Sequence, residues 1–188
     1  MIKFIIPLLL IAFSVKAQGI SVNETEPETG ARTIITKSFP GSEVVPDDTV
    51  VKLGLVFFSA GFREIKKVDK ITEIYFVELN IVHKDNRLGC MNQGQGKIIL
   101  DLEDGTSIEC TQISESDCDP IGFETAFALM PKGGKAATMK ENFEKLKSVA
   151  VKKINIFTSE KKLEFSVKSK SKADIQGRFT LLAKTIAN

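Results

Sequence analysis

The alternation of apolar and polar residues predicts a series of β-strands. Residues 71–83 form the longest candidate strand, and alternate positions along it place one apolar set on a single face: Tyr75, Val77, Leu79 and Ile81. An earlier apolar run, residues 50–58, places a second set on one face: Val51, Leu53, Leu55 and Phe57. Residues 123–130 are a further candidate strand. Because successive side chains of a strand point to opposite faces, each set predicts a strand with one buried face.

Two pairs of segments have the pattern of β-hairpins. The first joins residues 97–103 to residues 106–112. A three-residue loop ending at Gly105 is favoured over a two-residue turn, because only the longer loop keeps both apolar sets on one face. This register pairs Leu102 with Thr106, Leu100 with Ile108, and Ile98 with Cys110. The second hairpin joins residues 152–158 to residues 161–168 through a four-residue loop, and it pairs Ile156 with Leu163 and Ile154 with Phe165.

Apolar residues spaced by three and four positions predict two helices, at about residues 138–150 and 172–187. The first stripe is Met139, Phe143, Leu146 and Ala150, and the second is Ile175, Phe179, Leu182 and Ile186. Thr138 and Glu141 have the spacing of a capping box at the start of the first helix. Such amphipathic helices pack an apolar face onto a sheet. The sequence therefore predicts an α+β fold, in which two helices cover an antiparallel β-sheet built from hairpins.

The first 17 residues have the pattern of a secretory signal peptide. Lys3 precedes an apolar run at residues 4–13, and Ala17 supplies the small residue at which a signal peptidase cuts. This run is too short for a membrane anchor, because ten residues span about half of a ~30 Å hydrocarbon core. No later stretch reaches the ~18 apolar residues of a membrane span. We therefore expect a secreted protein without a transmembrane anchor, periplasmic if the source is a Gram-negative bacterium.

Cleavage after Ala17 would leave 171 of the 188 residues, enough for one domain with a hydrophobic core. Residues 18–48 are polar and acidic, and they predict a flexible leader with one short strand at residues 33–39. Residues 49–188 contain the other predicted elements. We expect them to form a single α+β domain.

Charge is unevenly distributed along the chain. Residues 131–188 contain 14 lysine or arginine and 5 aspartate or glutamate residues, a net charge of +9, whereas residues 18–130 carry a net charge of −9. Either the two parts fold against each other and compensate, or the basic third binds an anionic polymer or an envelope component. Within the basic third, Lys168, Lys170 and Lys172 occupy every second position. On an exposed strand end they would point the same way and form a binding face.

Three cysteines leave one unpaired within a monomer, and export permits a disulfide bond. The hairpin register turns Cys110 toward the core. Cys90 and Cys118 lie in loops that leave the open end of that hairpin, so a bond between these two is favoured. A Cys110–Cys118 bond is the alternative, and three free thiols are the other outcome.

Patterns typical of enzymes are weak. His83 is the only histidine, so a metal site with several histidines within one chain is excluded. Residues 59–61 match half of a nucleophile elbow. The acidic loop at residues 114–119 lacks the spacing of an EF-hand, and residues 131–135 lack that of a P-loop. We expect no cofactor, no metal ion and no catalytic residue that the sequence can identify.

The sequence therefore predicts an exported, non-catalytic binding or envelope-accessory module with an anionic ligand. The alternative from a different class is a secreted hydrolase that uses a pair of carboxylates. Two acidic side chains brought together by the fold would favour the hydrolase.

Overall fold

Antiparallel strands account for most of the chain that the structure, a computed structural model, describes: residues 19–38, 45–46, 55–67, 69–82, 91, 96–116 and 122–188. The strands within these residues are β1 (Ile20–Thr25), β2 (Arg32–Thr36), β3 (Val45–Pro46), β4 (Leu55–Lys67), β5 (Lys70–Val82), β6 (Lys97–Leu102), β7 (Ser107–Gln112), β8 (Gly122–Ala128), β9 (Val151–Phe157) and β10 (Lys162–Ser166). The two helices are α1 (Ala136–Ser148) and α2 (Ser169–Ile186).

All ten strands form one sheet, in the order β1-β2-β4-β5-β8-β7-β6-β9-β10-β3. Every pair of neighbouring strands is antiparallel. Helix α2 contacts β2 and β4 toward one edge of the sheet and β9 toward the other edge. The sheet therefore curls, because strands far apart in its order reach the same helix. The predicted α+β class and the antiparallel sheet built from hairpins are confirmed.

Register defines one apolar face of the sheet. Phe58 of β4 lies opposite Leu79 of β5, and Leu100 of β6 lies opposite Ile108 of β7 and Ile154 of β9. All five side chains are buried. Opposite residues on neighbouring antiparallel strands share a face, so this apolar side continues across the sheet. We call it the inner face and the other side the outer face.

Both predicted hairpin registers are confirmed. In the first hairpin Leu100 pairs with Ile108 and Ile98 pairs with Cys110. Gly105 has a φ of 83°, the left-handed conformation expected for the three-residue loop. The second hairpin pairs Ile156 with Leu163 and Ile154 with Phe165, as predicted.

The long strand predicted at residues 71–83 is observed as β5, and its predicted apolar face is buried: Tyr75, Val77, Leu79 and Ile81. The face predicted for the earlier run is wrong where the structure describes it. Residues 50–54 lie outside the described part, and within β4 the buried set is Val56, Phe58, Ala60 and Phe62. Phe57 is half-buried on the outer face. Because this run is apolar at both odd and even positions, only its pairing with β5 decides which side chains turn inward.

Residues 20–36, predicted as part of a flexible leader, instead form two strands of the sheet. β1 pairs with β2, and β2 pairs with β4. The short strand predicted at residues 33–39 is observed as β2, where Ile34 and Thr36 are buried. The backbone N–H of Ala60 donates to the Thr36 hydroxyl at 2.9 Å, which ties β2 to the core of the sheet. Polar composition did not reveal β1, which pairs with β2.

Helix α1 begins at Ala136 and buries Met139, Phe143 and Leu146, three of the four residues in its predicted stripe. The predicted capping box is not observed. The N-cap is Lys135 and has no side-chain cap bond, while Thr138 lies inside the helix. A turn at residues 131–134 starts the helix earlier than the capping-box spacing indicated.

Helix α2 begins at Ser169, three residues before the predicted start, and buries Ile175, Phe179 and Leu182. The Phe179 ring packs edge-on against Phe58 of β4 and Phe143 of α1, with centroid distances of 6.0 and 5.9 Å. Arg178 is also buried, and its guanidinium donates to the carbonyl oxygen of Lys37 after β2. Side chains of both helices thus belong to the same core as the inner face.

Candidate functional site: a lysine-rich end

The three lysines predicted as a binding face lie at the start of α2 and not on a strand. Lys168 is the N-cap residue, and Lys170 and Lys172 follow within the first turns. Residues two positions apart in a helix are separated by about 200° around its axis. Lys170 therefore faces away from Lys168 and Lys172, and the three side chains do not point the same way. Lys168 and Lys170 are exposed, whereas Lys172 is half-buried.

An acidic turn between β6 and β7 lies beside Lys172. The Lys172 ammonium forms an ion pair with Glu103. The adjacent Asp104 pairs with Lys145 near the end of α1, with Nζ and Oδ2 3.0 Å apart. Each helix is thus joined to the same turn by one ion pair.

The β6–β7 turn has a defined geometry. The backbone N–H of Leu102 donates to the Thr106 carbonyl at 2.9 Å, and the N–H of Glu103 donates to the Ala150 carbonyl at 3.0 Å. The Asp104 carboxylate accepts from the Thr106 hydroxyl at 2.6 Å and from its backbone N–H at 3.0 Å. These bonds, together with Lys145, lower the pKa of Asp104 to about 2. Asp104 therefore stays ionised throughout the neutral range.

Lys152 adds a further positive charge at this end of the molecule. Its carbonyl accepts from the Val167 N–H at 2.9 Å, which places the start of β9 next to the start of α2. The hydrogen bond from Lys172, followed by the charges of Lys172 and Lys152, lowers the pKa of Glu103. We call the whole group the lysine end. It comprises Lys145, Lys152, Lys168, Lys170, Lys172, Glu103 and Asp104, with a net charge of +3.

The acidic part of the chain compensates part of the positive charge of the basic third. This is the first of the two explanations given for the uneven charge. Lys145 and Lys172 pair with the acidic turn, and Lys140 of α1 lies 3.9 Å from Glu73 of β5. The lysine end as defined keeps a net charge of +3, and its Lys168 and Lys170 are exposed. The contribution of Lys145, Lys152 and the acidic turn was missed from sequence. The sequence indicates a turn at Asp104-Gly105, but it does not show that Lys145 and Lys152 lie next to that turn in the folded protein.

A pair of carboxylates lies on the outer face of the sheet. Glu78 of β5 is opposite Ser59 of β4 and Ala126 of β8. Glu124 of β8 is opposite Asn80, two positions further along β5, so it lies diagonally from Glu78 on the same face. Asn80 donates to the Glu124 carboxylate at 3.1 Å. Burial, followed by the charge of Glu124, raises the pKa of Glu78. Two acids from different parts of the chain are therefore close enough to interact, which the sequence did not predict.

Other candidates from the sequence have no catalytic geometry where they are described. Ser59 lies buried in the middle of β4, not at the strand-to-helix turn that a nucleophile elbow requires. His83 lies outside the described residues. Among the residues described, no group of three or more histidine, cysteine, aspartate or glutamate side chains is arranged to hold a metal ion.

Cys110 is a free, buried thiol opposite Ile98, and burial raises its pKa. This position disfavours the Cys110–Cys118 alternative. Cys90 and Cys118 lie outside the described residues. Between them, the Gln112 amide donates to the carbonyls of Met91 and Ser114 at 3.5 and 3.0 Å, so the chain next to Cys90 approaches the loop that leads to Cys118.

Within the described chain, neither helix has the length and apolar character needed to cross a membrane. Comparison with known proteins found no matching family model, no matching curated protein and no matching solved structure.

Proposed function

We propose that this protein is an exported, non-catalytic binding module or envelope-accessory protein whose partner is anionic. The observation that carries the proposal is the lysine end, where Lys145 and Lys172 pair with the acidic turn, Lys152 lies near Glu103, and Lys168 and Lys170 are exposed at the start of α2. An anionic polymer or an anionic component of the cell envelope has the chemistry that this surface would bind.

Two features add to the positive potential around the start of α2. Its first turn contains no acidic residue. The aligned peptide dipoles of a helix also place about half a positive charge at its N-terminus. Exposed charges are screened beyond ~10 Å at 0.1 M salt. Binding at Lys168 and Lys170 should therefore weaken steeply as salt concentration increases.

Export remains part of the proposal through the signal peptide at residues 1–17. β1 begins at Ile20, so cleavage after Ala17 would leave every strand of the sheet intact.

We also propose the Cys90–Cys118 bond. Its loop of about 29 residues would stabilise the exported protein by ~3–4 kcal/mol in the chain-entropy model. In this proposal α1 and α2 act as amphipathic covers of the inner face, so the partner binds at the lysine end and not inside the curled sheet.

Retention of the mature protein on immobilised heparin tests this function. The test variant Lys168→Gln/Lys170→Gln should elute at lower salt than the wild type. The matched control Lys132→Gln/Lys135→Gln also removes two charges, but near the opposite end of α1, whose 13 residues span about 20 Å. The control should elute close to the wild type. Equal elution of the two variants would contradict binding at the lysine end.

A secreted hydrolase is the second candidate, favoured by one observation, the proximity of Glu78 and Glu124. A carboxyl group with a raised pKa close to a second carboxyl group can act as the acid of an acid–base pair. The mature protein should then hydrolyse one member of a panel of chromogenic glycosides. Glu78→Gln and Glu124→Gln should each abolish that activity. Equal activity of the wild type and of the double variant Glu78→Gln/Glu124→Gln across the panel would reject this candidate.

A further inference from the structure

The acidic turn forms ion pairs with two lysines of the proposed binding surface. Glu103 holds Lys172 and Asp104 holds Lys145, while Lys152 lies close enough to influence Glu103. A partner that carries several negative charges would have to compete with these carboxylates for the same ammonium groups. The turn therefore has the position of an anionic ligand that belongs to the chain itself.

We propose that Glu103 is an internal competitor of the anionic partner: the partner displaces the Glu103 carboxylate from Lys172 and takes its place. This inference rests on the proposed function, because it describes how the lysine end selects its ligand. A weakly charged ligand would not replace Glu103, whereas a polyanion that also contacts Lys168, on the same side of α2 as Lys172, would. The lysine end would thus favour polymers with closely spaced charges.

Glu103 is better suited to displacement than Asp104. The Asp104 carboxylate accepts two hydrogen bonds from Thr106 within the turn, so it remains in place when Lys145 moves. The ion-pair partner of the Glu103 carboxylate is Lys172, and nearly half of the Glu103 side chain is exposed, at 45%. Exposed ion pairs of this kind are weak and open readily. Displacement of Glu103 would therefore leave the fold of the turn unchanged.

The affinity of a labelled single-stranded oligonucleotide, used only as a flexible polyanion, tests the competition at several salt concentrations. Glu103→Gln should bind more tightly than the wild type. The slope of log affinity against log salt should also become steeper by about 0.7, the value for one additional phosphate contact to a single strand. The control Glu164→Gln makes the same change of charge but affects pairs with Lys153 and Lys162, between β9 and β10. It should leave the slope unchanged.

Equal slopes for Glu103→Gln, Glu164→Gln and the wild type would overturn the competition. The proposed function would still stand if Lys168→Gln/Lys170→Gln weakens binding. Absence of wild-type binding to both heparin and the oligonucleotide would reject the function and the inference together.

A second measurement does not depend on a variant. Carbodiimide couples a carboxylate to a neighbouring amine, so it should join Glu103 to Lys172 in the free protein. An oligonucleotide without a terminal phosphate should suppress this product, and an undiminished yield at saturation would overturn the competition.

Discussion

Replacing Phe179 by alanine should strongly destabilise the fold. The Phe179 side chain is fully buried, and it joins the helix to Phe58 of the sheet and to Phe143 of the other helix. Truncation of a buried phenylalanine to alanine costs about 3–5 kcal/mol, because apolar contact is lost and a cavity remains. Phe179→Leu keeps part of the volume and loses two ring pairs, each worth about 0.5–1.5 kcal/mol. We expect about 1–3 kcal/mol for that variant.

Urea denaturation followed by tyrosine fluorescence measures this loss. The chain contains no tryptophan and a single tyrosine, Tyr75, whose ring lies 4.6 Å from that of Phe143, so the signal reports on the packing around α1. With a slope of about 2 kcal/mol per molar urea, the midpoint of Phe179→Ala should fall by roughly 1.5–2.5 M. The slope itself should not change.

Thr180→Ala, at the next and exposed position of α2, is the matched control. It should change the free energy of unfolding by no more than about 0.5 kcal/mol, as surface substitutions usually do. A midpoint shift below about 0.5 M for Phe179→Ala would refute the packing of α2 against β4. A shift of similar size in the control would show that the helix, and not the aromatic contact, determines the stability.

Tyr75 should ionise late in the folded protein, because burial and the adjacent Glu73 raise its pKa. Since the folded pKa is the raised one, stability should hold up to about pH 10, the pKa of an unfolded tyrosine, and fall above it. An ultraviolet absorbance titration showing ordinary ionisation of the folded protein would contradict this. Peptide mapping without reductant should find Cys90 joined to Cys118, and a disulfide peptide containing Cys110 would reject that pairing. Mass spectrometry of the exported protein should find Gln18 as the first residue, and an intact Met1 would reject the signal peptide.

Local patterns in the sequence were sufficient for elements whose apolar residues all lie on one side. The register of the β6–β7 hairpin followed from Ile98, Leu100 and Ile108, because a shift of one residue would expose every one of them. Gly105 followed from the same argument, since the three-residue loop needs a left-handed residue. The buried stripes of α1 and α2 likewise follow from spacings of three and four residues.

Pairing between distant segments determined what these local patterns could not. β4 is apolar at both odd and even positions near its start, and only its contact with β5 turns Phe58 inward and Phe57 outward. β1 is too polar to be predicted from its sequence, and its pairing with β2 supplies its hydrogen bonds. The pairing of β5 with β8 also brings Glu78 near Glu124, although they are 46 positions apart in the chain.

The lysine end shows the same division between sequence and tertiary structure. The sequence by itself determined an excess of positive charge after residue 131 and a row of lysines at positions 168–172. Tertiary structure alone placed Lys168, Lys170 and Lys172 at the start of a helix, where they diverge, and put Glu103 beside Lys172. The physical reason is that charge composition is additive along a chain, whereas the potential that a partner meets depends on distances between side chains. Those distances exist only once the sheet has curled and α2 has packed against it.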